Sequence, residues 1–166
     1  MSYTGTYVIN KAGDLLCSEE YRNSHGFCAY IWTALCEKYK IGSWYLDENA
    51  DKLWKLATNP KLLPCERIAL ETTFDYAIIR KEDFAQVIAA YHDFEHVHPP
   101  GNHVSHLYSI ALEMGRYAND DDVVGFCFYQ SSLSSNLWEE VDDDDYNIYR
   151  HSNHHFVPLS LDTVKE

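Results

Sequence analysis

A chain of 166 residues, 46% hydrophobic, 14% aromatic and 23% charged, has the length of one domain that buries roughly two thirds of its unfolded surface, and it lies far from the composition of a disordered segment. Its formal net charge of −13 is uneven: residues 101–166 carry −9 (12 acidic, 3 basic) and residues 1–100 carry −4 (14 acidic, 10 basic). Phosphate contacts need clustered lysine and arginine, anionic lipid repels negative charge, and no segment approaches the roughly 20 apolar residues that cross a bilayer, so neither direct nucleic-acid binding nor a membrane location is expected.

In chain order, residues 4–9 alternate and are β-rich, Asn10, Lys11, Ala12 and Gly13 supply a turn, and residues 14–18 return, which predicts an opening hairpin. Cys28, Ile31, Trp32, Leu35, Cys36 and Tyr39 recur at helical spacing, with Gly42 as the stop. Asp47 is placed to cap a short helix carrying Leu53, Trp54 and Ala57, ended by Asn59 and Pro60. Pro64 opens another short helix. Residues 74–79 read as a strand. A longer helix from Glu82 sets Phe84, Val87, Ile88 and Tyr91 on one stripe and closes at Pro99, Pro100 and Gly101.

Asn102 is placed to cap the next helix, with a stripe of Val104, Leu107, Tyr108, Ala111 and Met114 and with Gly115 as a point of close approach. Residues 123–130 form a nearly continuous apolar run of strand length, the pattern of a central strand buried on both faces. Residues 146–150 and 156–161 are weaker strand candidates, the second pushed to an edge by Pro158. Strands at both ends with helices between predict an α+β fold: a single globular domain, residues 1–166, with an antiparallel or mixed sheet of four to five strands packed by about five helices.

Five of the nine histidines fall within residues 92–106. His92, Glu95 and His96 satisfy the H-x-x-E-H pattern of inverted zinc metallopeptidases. There, two imidazoles one helical turn apart bind zinc and the carboxylate takes a proton from the bound water. These three residues therefore define a candidate zinc-dependent hydrolase site. The competing reading is a set of surface and loop histidines around a helix, Pro-Pro turn, helix junction, with a ring or two capping carbonyls near the first helix's end. A second group, His151, His154 and His155, is a distant source of a ligand or a polar turn before the last strand.

The five cysteines, Cys17, Cys28, Cys36, Cys65 and Cys127, are odd in number and mostly embedded in apolar sequence, and they read as reduced, buried small hydrophobes. The first residues lack a basic region, an apolar stretch and a cleavage site, so a cytoplasmic location is expected. No nucleophile elbow, phosphate loop, dinucleotide fingerprint, calcium loop or C-x-x-C motif is present.

What remains is the acidic sequence. Asp120, Asp121 and Asp122 precede the apolar run, and Glu139, Glu140, Asp142, Asp143, Asp144 and Asp145 are interleaved with Trp138, Tyr146 and Tyr149. Each acidic group reads either as a solvated loop that keeps its segment in water or as part of a recognition surface. In the second reading desolvated aromatics anchor a partner while complementary charge speeds encounter. The expectation is a small acidic binding protein that docks on and inhibits a basic partner, as an immunity-type neutraliser of a nuclease toxin does. The alternatives are the zinc hydrolase, a phage-type nucleic-acid mimic or host-takeover protein, and a scaffold whose acidity serves solubility. The even charge density of a nucleic-acid mimic is lacking in the first hundred residues, which favours the immunity type.

Overall fold

The structure, a computed structural model, describes residues 3–22, 24–74, 77–130, 139–141, 147–149 and 157–158, the last three segments by their backbone pairing. Its elements in chain order are β1 (Tyr3–Asn10), β2 (Leu15–Arg22), α1 (Cys28–Tyr39), α2 (Asp47–Lys55), α3 (Pro64–Glu71), β3 (Ala77–Arg80), α4 (Phe84–Val97), α5 (Leu107–Tyr117), β4 (Val123–Gln130), β5 (Glu139–Val141), β6 (Asn147–Tyr149) and β7 (Val157–Pro158). Among the described residues no helix is long and apolar enough to cross a membrane.

The opening alternation folds as the predicted hairpin, its turn fixed by the Asp14 N–H donating to the Asn10 side chain at 2.8 Å. The main sheet runs β2-β1-β4-β3-β7. Its first four strands are antiparallel and β7 pairs parallel on the edge, where the proline's missing N–H costs least. The domain is α+β with a mixed sheet, as the sequence predicts. Residues 123–130 form an interior strand, and adjacent Phe126 and Cys127 are both fully buried, on opposite faces. Phe126 joins the large cluster under the helices; Cys127 joins Tyr7, Ile9, Leu15 and Ile78 on the other side.

Helix boundaries depart from expectation where tertiary contacts override local signals. α1 stops at Lys40, which takes the left-handed conformation (φ 55°) and donates its N–H back to Glu37; Gly42 (φ 97°) only turns the chain onward. Asp47 is the first helical residue of α2 rather than its cap. Leu46 occupies the cap position, so Asp47 acts through its charge at the helix N-terminus. α5 begins at Leu107 and not beside Asn102, leaving Val104 and Tyr108 each 54% exposed. The cause is His106, whose N–H donates to Gly26 O at 2.8 Å while its ring Nε2 lies 2.9 Å from Arg22 O. Gly26 has no room for a side chain, since a Cβ there would lie 2.5 Å from the His106 ring. Gly115 is exposed and marks no close approach, its nearest neighbour being Ile88 at 4.0 Å.

Two further expectations are revised. Cys17 is exposed, whereas Cys28, Cys36, Cys65 and Cys127 are buried; all five are free thiols. Glu139 and Glu140 belong to a strand rather than to a loop: β5 pairs antiparallel with β6, with Glu139 opposite Tyr149 and Glu140 opposite Ile148.

Candidate interaction site

The described surface is cut by a cleft of about 430 Å³ along α1. One face of that helix supplies a floor of small residues, Ala29, Thr33 and Ala34, flanked by Tyr30 and Glu37. The segment after α1 contributes Trp44 and Tyr45, and the α4–α5 connection contributes His98, Pro99, Pro100, His103 and Val104. His25 also lines it. Alanine and threonine recur on one side of α1 at helical spacing, which keeps the floor low while bulkier neighbours face the core.

The aromatic wall is locked in place. Tyr45 is 67% exposed, yet its ring stacks on Trp44 with centroids 3.8 Å apart. Trp44 in turn donates its indole N–H to Thr33 Oγ1 at 3.0 Å and meets Trp32 edge-on at 5.1 Å. Trp32 continues the array to Trp54 at 5.3 Å, and Trp54 to Phe74 at 5.7 Å. A large exposed ring held by stacking has little rotamer freedom left to lose on binding.

The opposite wall is fixed from below by a buried carboxylate. The Glu66 side chain is inaccessible to solvent; its Oε1 lies 2.7 Å from both Lys38 Nζ and His98 Nε2, and its Oε2 accepts from Tyr39 OH at 2.8 Å and from Leu63 N–H at 3.0 Å. Local sequence places Glu66 there, because Pro64 starts α3 and the third helical residue reaches back to the N–H of the cap residue. Burial alone would raise the Glu66 carboxyl, but the donors from Lys38, Leu63, His98 and Tyr39 outweigh it and hold it below the usual carboxylate range. The His98 ring packs on Phe94 at 4.7 Å, and the Tyr30 hydroxyl donates to the His98 carbonyl, tying α1 to the end of α4. Burial, and then the charge of Glu95, push the Tyr30 phenol above its ordinary value.

An imidazole held by a carboxylate is an arrangement that general-base catalysis uses. Among the described residues, however, the cleft is lined by no serine, cysteine or lysine, and the Thr33 hydroxyl already accepts from Trp44. Among the described residues one carboxylate, Glu37, and no lysine or arginine line it. Among the described residues Glu37 enters no ion pair.

The predicted site residues that the structure describes lie outside the cleft. His92 and His96 are exposed on α4; the His92 ring meets Tyr108 edge-on at 5.7 Å, and Glu95 accepts from the Ser105 hydroxyl. Among the described residues no group of three histidine, cysteine or acidic side chains is placed to hold a metal ion. His98, from the same histidine-rich segment, pairs with a carboxylate rather than capping a carbonyl. Asp120, Asp121 and Asp122 are exposed in the turn between α5 and β4. There Asp122 N–H donates to Asp120 Oδ1 at 3.0 Å, Lys11 N–H to Asp122 O at 2.9 Å, and Lys81 Nζ to Asp120 O, so the turn is knitted to two lysine residues. Backbone pairing sets Glu139 and Glu140 beside the strand of Tyr149. Trp138, Asp142, Asp143, Asp144, Asp145 and Tyr146 lie outside the described residues, as does the group of His151, His154 and His155.

Trp44, Tyr45, Glu37 and the Glu66–His98 pair were not singled out by the sequence. The one signal available was two adjacent aromatics, Trp44 and Tyr45, in a short connection between two helices, where neither was needed to complete a helical stripe. Compared with known proteins, the chain matches no family model, no curated protein and no solved structure.

Proposed function

We propose that this protein is a small acidic binding protein of the cytoplasm that docks on a basic partner protein and inhibits it, in the manner of an immunity-type neutraliser of a nuclease toxin. The observation that carries this reading is the exposed Tyr45 ring locked on half-buried Trp44, lining one cleft with a Glu37 carboxylate that enters no ion pair among the described residues, in a chain of net charge −13. Interfaces concentrate their energy in a few preorganised aromatic anchors, and an excess of negative charge accelerates encounter with a positive surface. The exposed carboxylates of Asp120, Asp121 and Asp122 add to that field. Five free thiols suit a reducing compartment.

The test is isolation of the tagged protein from its native cells at low salt, followed by elution with rising salt. The expected result is a basic chain, present in stoichiometric amount and released by salt, whose nuclease activity falls when equimolar protein is returned to it. Recovery of no salt-released chain, or of one whose activity the protein leaves unchanged, removes the reading.

A further inference from the structure

Resting on the reading that the partner is basic, we propose that the α1 cleft is the anchor site for an arginine side chain of that partner, its guanidinium laid against the Tyr45 ring and paired with the Glu37 carboxylate. Tyr45 has one face covered by Trp44 at 3.8 Å and remains 67% exposed, so its other face is presented to an incoming group without first having to be ordered. Among the described residues lining the cleft, Glu37 is the one carboxylate and no lysine or arginine competes with a cation for it. A volume of about 430 Å³ admits a long side chain together with the backbone that carries it, and the floor of Ala29, Thr33 and Ala34 leaves that space open.

Arginine fits this chemistry better than lysine. Its planar guanidinium stacks on an aromatic face while its N–H fork addresses a carboxylate, whereas an ammonium is a strongly hydrated point charge that does neither as well.

The experiment is an amide and indole resonance titration of the full-length isotope-labelled protein with a capped triarginine peptide, with capped trilysine and triglycine peptides as comparisons. Triarginine is expected to give saturable shifts at the Trp44 indole, at Tyr45 and along α1 around Glu37, with trilysine weaker and triglycine silent. Glu37→Gln and Tyr45→Ala are each expected to weaken triarginine binding about two- to fivefold, the range of one exposed ion pair or one cation–π contact, with the unfolding midpoint of Glu37→Gln unmoved and that of Tyr45→Ala lowered only by the lost stacking on Trp44. Saturable shifts confined to Asp120, Asp121 and Asp122, no saturable shift at all, equal affinity for trilysine, or indifference to both substitutions would each overturn the anchor site. A salt-released basic partner recovered from cells alongside any of those results leaves the docking reading standing without it. Arginine binding in the cleft with no such partner upholds the site and removes the docking reading.

Discussion

Replacing Glu66 by glutamine tests whether one buried carboxylate holds the cleft together. The native side chain is inaccessible and accepts from Lys38, His98, Tyr39 and Leu63, two donors on each oxygen, at 2.7–3.0 Å. An amide of the same shape keeps one acceptor and turns a donor toward the remaining two groups, so two of the four bonds are lost or inverted. Hydrogen bonds to a charged group contribute about 1.5–3 kcal/mol each, but the Lys38 side chain is 36% exposed and can return to water, which discounts its share. The balance is a destabilisation of about 2–3 kcal/mol for Glu66→Gln and about 3–5 kcal/mol for Glu66→Ala, which strands the donors altogether. For a domain of this size the glutamine variant should melt roughly 4–12 °C lower.

Urea unfolding at neutral pH, followed by tryptophan fluorescence, reads this as a shift of midpoint with unchanged slope. Because the folded carboxyl sits below its ordinary value, the stabilisation is fully present above about pH 4.5 and is lost as pH falls through the lowered value. The gap between wild type and Glu66→Gln should therefore narrow steadily below that point. Equal stability at pH 7, or a gap that persists undiminished at acid pH, would refute the network as described.

Two further outcomes follow from buried and exposed groups elsewhere. Glu113 is 2% exposed and accepts from Thr6 Oγ1 at 2.6 Å and Tyr21 OH at 2.7 Å, joining α5 to the first hairpin; Tyr21→Phe removes one of these donors and should cost about 1.5–3 kcal/mol in urea unfolding. A small aromatic-disulfide thiol reagent should label one cysteine of five in the native protein, Cys17, as read by intact mass, and all five in denaturant. That labelling should be slow at neutral pH, because partial burial and then the charges of Glu20, Glu113 and Glu19 raise the Cys17 thiol; rapid labelling of two or more sites would contradict the packing.

The elements that were legible in sequence are those whose signal is local. The alternation of residues 4–9 with Asn10 to Gly13 behind it wrote the hairpin, and the stripe from Cys28 to Tyr39 wrote α1. The unbroken run of residues 123–130 has few ways to fold other than as an interior strand. What was illegible depends on pairs far apart in the chain. Glu66 looks like an ordinary helix-start acid until Lys38 and His98, 28 and 32 residues away, close on it. The start of α5 is displaced because His106 is held by Gly26 and Arg22, contacts that no helical period encodes. The acidic residues gave the sign of the charge but not its arrangement, since strand pairing, and not composition, places Glu139 opposite Tyr149.

That arrangement bears on how a basic partner would sit. The cleft includes Val104, just before α5, and Asp120 follows just after that helix, so the Val104 edge of the cleft and the acidic turn lie at opposite ends of it. Eleven helical residues span roughly 16 Å, which is the separation between that edge and the turn. An interface of ordinary size, about 800 Å² on each side, is roughly 30 Å across, so that separation does not by itself keep one partner from reaching both. The two ends would then divide the work: the charged turn acts through the field at long range and speeds arrival, and the locked rings beside Glu37 act at contact and slow departure. Salt should accordingly weaken the association chiefly through its on-rate, while the loss of Tyr45 is felt in the off-rate.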